Sequence, residues 1–160
     1  MQALFTLTSS ESKRLLGKAV AAMPDVQYAK DNGYLVVGRG STNAFILEEL
    51  LKNKMEKERY AAGQVIRGIL CQLGPGLRSK PVIFHKGAVM NVEPGAVIDR
   101  MTAGDLLIKG ANAIDAFGNI GVLMAGPAGG TMGQFYMALK TQGVASLYVA
   151  GLEKLIPSVE

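Results

Sequence analysis

The chain is poor in the residues from which self-contained reactive centres are built. Its 160 residues include one cysteine, Cys71, and one histidine, His85. That excludes a disulfide scaffold and any cysteine/histidine zinc cluster drawn from a single copy, and no metal or other cofactor is expected. A lone thiol suits a reducing compartment. A Ser-His-Asp or Cys-His centre would have to use His85, and no nucleophile is paired with it by sequence. His85 therefore reads as a structural or surface imidazole, and Cys71 as a small buried hydrophobe. No apolar run reaches about 18 residues, so no membrane-spanning helix is expected. The N-terminus lacks the charged-then-apolar layout of a signal peptide, and the expected location is the cytoplasm. Lys and Arg number 17 against 13 Asp and Glu, a net charge of +4. With no run of five or more basic groups, nucleic acid is not an expected partner.

What the chain has in excess is glycine: 20 residues of 160, against an average usage of about 7%. No Gly-X-Y period, Gly/Ser tract or internal repeat accounts for them. Hydrophobic residues make up 49% and charged residues 19%, enough to bury a core. The length suits one domain, spanning residues 1–160. The glycines are thus expected at particular turns or points of close approach in a compact fold.

Thr8-Ser-Ser-Glu11 has the form of a capping box, and Leu15, Leu16, Ala19, Val20 and Met23 follow at helical spacing. Pro24 ends that helix, and a second short one covers Val26–Lys30. Asn32-Gly33 is a turn. Tyr34–Val37 reads as a buried strand, Ala44–Lys52 as an amphipathic helix and Gln64–Cys71 as a strand. Pro81–His85 is another strand and Pro94–Met101 a short helix. Asp105–Lys109 is a strand, Asn119–Ala125 is extended, and Pro127–Lys140 is a helix with proline in its first turn. Gly143 caps it, and Val144–Ala150 is the last strand. Apolar strands alternating with amphipathic helices argue an α/β domain, three-layered and Rossmann-like, with a mostly parallel sheet. Ligands of such sheets bind beyond the carboxyl ends of the strands.

Three glycine-bearing loops are placed to reach that rim. The first is Gly38-Arg39-Gly40-Ser41-Thr42-Asn43, between a strand and a helix. Its glycines allow close backbone approach to an anion, and its hydroxyls and first helical N–H groups are donors. It lacks the Gly-Lys-Ser/Thr ending of a P-loop, and Asn43 stands where a dinucleotide fingerprint needs its third glycine. It serves equally as a tight turn with Ser41 or Thr42 as N-cap. The second loop runs from Lys109 and Gly110 through Asn112 to Asp115, then Gly118-Asn119. Asn112 and Asp115 suit a polyol and Lys109 an anion; an Asx turn with solvated side chains is the plainer reading. The third is Gly126-Pro-Ala-Gly129-Gly130-Thr131, opening a helix, a second anion cradle or a site of close helix–sheet packing. Glu153-Lys154, just after the last strand, could reach the same rim or form a solvated pair.

The order of these loops resembles that of a known superfamily. A strand, then Gly40-Ser41-Thr42, then a helix is similar to the phosphate loop of ribose-5-phosphate isomerase. The same motif recurs in glucosamine-6-phosphate deaminase and the CoA transferases. Ile108–Asp115 resembles that isomerase's Asp-Gly-Ala-Asp-Glu segment, and the Gly-Ala-Asp-x-Ile segment of methylthioribose-1-phosphate isomerase and the eIF2B-like regulatory subunits. Gly126–Thr131 falls at the superfamily's second glycine loop, and Val149–Lys154 at its lysine-ended strand. The resemblance covers residues 34–52 and 105–157. There are departures. Asn112 stands where both isomerase families carry an aspartate, and Ala113 where the ribose phosphate isomerase has its glutamate base. Ala125 stands near an expected lysine. Neither an amide nor a methyl group can take a proton as a carboxylate does, so ordinary aldose–ketose isomerisation is not expected. The isomerase family continues past the last matched strand into a lid and a further helix, so a reduced version, an incomplete chain or a site closed by a partner subunit is implied.

The resemblance implies binding of a phosphorylated or otherwise anionic small metabolite, of the sugar phosphate or CoA-ester class. Gly38, Arg39, Gly40, Ser41, Thr42, Asn43, Gly126, Gly129, Gly130 and Thr131 would form the cradle. Lys109, Gly110, Asn112 and Lys154 would complete it. If a reaction is catalysed, Asp115 is the carboxylate nominated as base. A homo-oligomer is expected, and the alternative function is a non-catalytic regulatory or assembly subunit of the eIF2B-like type.

Overall fold

A computed structural model describes residues 2–126 and 128–160, with the backbone alone described at 64–66. The described residues form four α-helices: α1 (Ser9–Ala21), α2 (Pro24–Asn32), α3 (Ser41–Leu51) and α4 (Gly130–Thr141). The strands are β1 (Tyr34–Val37), β2 (Gly63–Ile66), β3 (Ile69–Gln72), β4 (Val82–His85), β5 (Ala88–Met90), β6 (Leu106–Gly110), β7 (Ala113–Ile114), β8 (Ile120–Gly121) and β9 (Ala145–Val149). Five of them form the central sheet in the order β5-β4-β1-β6-β9. β6 pairs parallel with β1 and with β9, while β4 is antiparallel to both β1 and β5. Four of the five strands therefore run one way. β2–β3 and β7–β8 are separate two-stranded hairpins.

β1 is apolar throughout because both its faces are covered. Leu35 and Val37 join Phe84, Leu106 and Ile108 in one core beneath α1, α2 and α3. Tyr34 and Val36 join Ile83 and Leu107 in a second core, closed by Met132, Phe135 and Ala138 of α4 and by Val97 and Met101. The result is a mixed α/β fold with helices on both faces of the sheet, compatible with a Rossmann-like arrangement.

α1 starts where its sequence says. Thr8 Oγ1 accepts from the Glu11 N–H at 3.3 Å and the Glu11 carboxylate accepts from the Thr8 N–H at 2.7 Å. α1 packs on α3 so closely that a Cβ on Gly17 would lie 2.9 Å from the Phe45 carbonyl. At this contact the Glu48 carboxylate, buried, accepts from Arg14 and Lys57, each at 2.5 Å, and from the Met55 N–H at 3.1 Å. Arg14 also reaches Glu49 at 3.0 Å.

Several segments differ from the sequence reading for local reasons. Gln64–Cys71 is two strands, because Arg67 and Gly68 both take positive φ (51° and 79°) and turn the chain as a two-residue hairpin. Lys86-Gly87 does the same between β4 and the unanticipated β5. Cys71 consequently lies half-buried on a peripheral hairpin rather than in a core. Pro94–Met101 is two short 3-10 turns rather than one helix. Residues 122–125 are irregular beyond β8. Pro127 lies outside the described residues, and α4 begins three residues later than expected, at Gly130. Among the described residues, no helix is long and apolar enough to cross a membrane.

Candidate functional site

β1 feeds α3 on one face of the sheet, whereas β6 leads through the β7–β8 hairpin to α4 on the other. Two adjacent parallel strands whose chains depart to opposite faces form a topological switch point at their carboxyl ends, where ligands of open α/β sheets usually sit in a crevice; two grooves of the surface lie elsewhere, against α1 and α3 and beside β9. Gly38 stands at that switch point. Its N–H donates to Ile108 O at 2.8 Å. A Cβ there would lie 3.2 Å from both Ile108 O and Lys109 Cδ, and 3.9 Å from Thr131 Cγ2. One residue of the first loop thus touches the second and third loops.

Tyr60 sets the height of the first loop. It is fully buried; its hydroxyl donates to Val37 O at 2.6 Å and accepts from the Val82 N–H at 2.9 Å. Its own carbonyl accepts from the Gly40 N–H at 2.8 Å. Burial pushes the phenol far above its ordinary value, only partly offset by the Val82 bond and the charge of Arg39. The sequence does not single out Tyr60, since a lone tyrosine carries no signal of the strand end it braces.

Ser41, Thr42 and Asn43 form the first turn of α3 rather than a loop. Asn43 Nδ2 donates to Gly38 O at 2.8 Å, which ties loop to helix. Asn43 Oδ1 and Thr42 Oγ1 are buried without a partner among the described residues. Gly110 lies beside that amide, its Cβ position 3.9 Å from Asn43 Oδ1. Arg39 is turned away, its Nε donating to Ser79 O at 2.8 Å. Asn112 is exposed and accepts from the Leu123 N–H at 2.9 Å. At the third loop Gly129 and Gly130 adopt φ of 67° and 62°, a left-handed pair that only glycine takes readily. A Cβ on Gly133 would fall 1.8 Å from Ala128 O. Gly126 begins this loop, exposed, at φ 85°.

The four helices divide by how their N-termini are satisfied. α1 carries Glu11 and α2 Asp25 in the first turn. α3 and α4, which open at the crevice, have glycine N-caps, no side-chain cap bond and no acid in the first turn. Their positive ends are left to whatever occupies the rim.

Two lysines stand there. Lys109 is half-buried, and its Nζ donates to Gly110 O at 3.1 Å. Burial pushes its amine below the ordinary lysine value, and the charge of Lys154 lowers it further. Lys154, on the 3-10 turn 152–154, donates through Nζ to Ala111 O. Burial lowers its amine too; Glu153 pulls it back up, and Lys13 from α1 pushes it down again. None of the three amines forms an ion pair among the described residues. Lys154 is thus no solvated pair with Glu153. Lys13 was not foreseen, since nothing in α1 signals that its first turn approaches residue 154.

Asp115 is built for another task than proton transfer. Its carboxylate accepts from the N–H groups of Phe117 (3.0 Å), Asn119 (2.9 Å) and Val159 (3.2 Å), and from Asn119 Nδ2 (2.9 Å). Burial would raise its pKa, but these four donors outweigh that and hold it below the ordinary aspartate range. A carboxylate whose lone pairs are filled by fixed donors is a poor base. Asp115 instead ties the β7–β8 hairpin to residue 159. His85 stacks on Tyr34, ring centroids 4.0 Å apart, away from the crevice in a structural position. Comparison with protein-family models, with curated proteins and with solved structures finds no match.

Proposed function

We propose that the chain binds a phosphorylated or otherwise anionic small metabolite in the crevice between β1 and β6. The observation that carries this reading is the pair of half-buried lysines, Lys109 and Lys154, which lack an ion-pair partner among the described residues. Holding a cation partly desolvated without a counter-charge is unfavourable, and an incoming anion relieves it. The uncapped starts of α3 and α4 add a favourable end charge from two directions. Thr131 and Ser41 supply hydroxyls at those starts. The resemblance to sugar-phosphate isomerases and CoA transferases supports a phosphate-bearing ligand of that class. With Asn112 and Ala113 in place of acids and Asp115 occupied, no proton-transfer step is assigned, and the reading is one of binding.

Titration calorimetry of the intact chain with inorganic phosphate, ribose 5-phosphate and a CoA ester tests it. At least one probe binds, and Lys109→Met/Lys154→Met weakens it at least about tenfold, the loss of roughly one charge-assisted hydrogen bond. Heat unchanged by the double substitution would overturn the site.

A further inference from the structure

The central sheet ends differently on its two sides. β5 is three residues long and follows a tight Lys86-Gly87 turn. A short edge is one way natural sheets avoid pairing with other chains. β9 has five residues, Ala145-Ser-Leu-Tyr-Val149, with no charge and no proline, and no described strand pairs with its outer side. Beside it runs a groove of about 460 Å³ whose lining includes Ile120, Val122, Met132, Tyr136, Leu139 and Tyr148. Leu123, Met124, Tyr136 and Met137 stand out of this region with at least half of each exposed.

The patch approaches the size of a stable interface. Those four and Ile120, at roughly 200 Å² for each large side chain, offer on the order of 500 Å². The edge of β9 and the Lys140 stem bring this toward the ~800 Å² per partner of a standard interface. The chemistry favours a second copy of this chain. Lys140 is the one charged residue lining the groove, and its Nζ lies 5.9 Å from the Tyr136 ring centroid. Neither an acidic nor a basic partner is solicited. A two-fold contact sets a patch against itself, which an uncharged strand permits without like-charge clashes.

We propose that two copies associate by antiparallel pairing of β9 with β9 about a two-fold axis, joining the sheets into one of ten strands and bringing the two α4 helices together over the groove. The proposal is independent of the crevice reading. Sedimentation equilibrium of the intact chain gives a dimer of twice 16.9 kDa. Ser146→Lys places a charge on the exposed strand edge and Met137→Glu one on the exposed helix face. Each weakens dimerisation at least about tenfold, with unchanged circular dichroism. The N–H groups of 145–149 that do not bond β6 exchange slowly in the dimer and fast in both variants. A monomer throughout the accessible concentrations overturns the proposal. So does a dimer indifferent to both substitutions, which would place the contact elsewhere.

Discussion

Arg14 and Lys57 close on Glu48, and Arg14 on Glu49, in the contact between α1 and α3. Lys13, Lys109 and Lys154 gather instead at the carboxyl rim of the sheet, with none of them in an ion pair among the described residues. The two clusters differ in how their cations are met. In the first the fold supplies its own counter-charge, and the cations are structural parts. In the second a net positive field, only partly offset by Glu153, stands beside two helix starts that lack an acid. A cluster of lysines is informative about binding only once the carboxylates near it have been counted.

The comparison breaks most visibly at Glu48. Glu48→Ala leaves Arg14 and Lys57 without their shared acceptor beside a packed helix contact. Arg14 is more than a third exposed, so solvent recovers part of the loss. A destabilisation of about 1–3 kcal/mol is expected by urea unfolding, whereas a midpoint equal to the parent's would show the cluster to be ornamental. Next in size is the response to pH. Burial would raise the Glu48 carboxyl, but Lys57, Arg14 and the Met55 N–H outweigh it and hold the group at about 2. Its stabilisation is complete above the ordinary value of 4.5 and drains away as pH falls from there toward about 2. The rim has the opposite sign. Its amines sit below the ordinary 10.5, so their protonated forms are disfavoured by folding and stability rises as pH climbs toward that value. Midpoints across both limbs, with Glu48→Ala flattening the acid limb and Lys109→Met the alkaline one, check the pairing. The smallest effect is Lys109→Met at neutral pH without ligand. Its melting temperature stays level or rises slightly, by under about 1 kcal/mol in stability; a clear loss would mean that Lys109 is a structural part like Arg14.

Much of the framework was legible because local signals agreed with the packing. Tyr34–Val37 is an unbroken apolar run, and it forms a doubly covered strand. Thr8 and Glu11 spell a cap that the backbone obeys. Gly143, at φ 69°, closes the region after α4 as expected. Failures came where meaning depends on distant neighbours. Gln64–Cys71 has strand composition throughout, and only the left-handed pair at Arg67-Gly68 divides it. Asp115 looks like any loop carboxylate until Val159 arrives from 44 residues away to fill it. The glycine-bearing strand-to-helix turns are visible in the sequence, although Ser41–Asn43 belong to α3, but their partition into helix cap and close-packing glycines rests on Ile108, Lys109 and Ala128, which come near only in the folded chain. Lys13 and Tyr60 had no local signal at all.

The rim is assembled from pieces that lie far apart along the chain: the start of α1, the end of β1, the end of β6, the start of α4 and the turn after β9. Such a site cannot exist in a folding intermediate that holds only one βαβ unit, since the approach of α1 to the turn after β9, where a Cβ on Gly151 would lie 2.9 Å from Ser12 Oγ, closes nearly the whole chain into one loop. An anion seated there would favour the native state over every partly folded form, not merely over the unfolded chain. Binding of the proposed anion would therefore be coupled to the meeting of the first helix and the last strand.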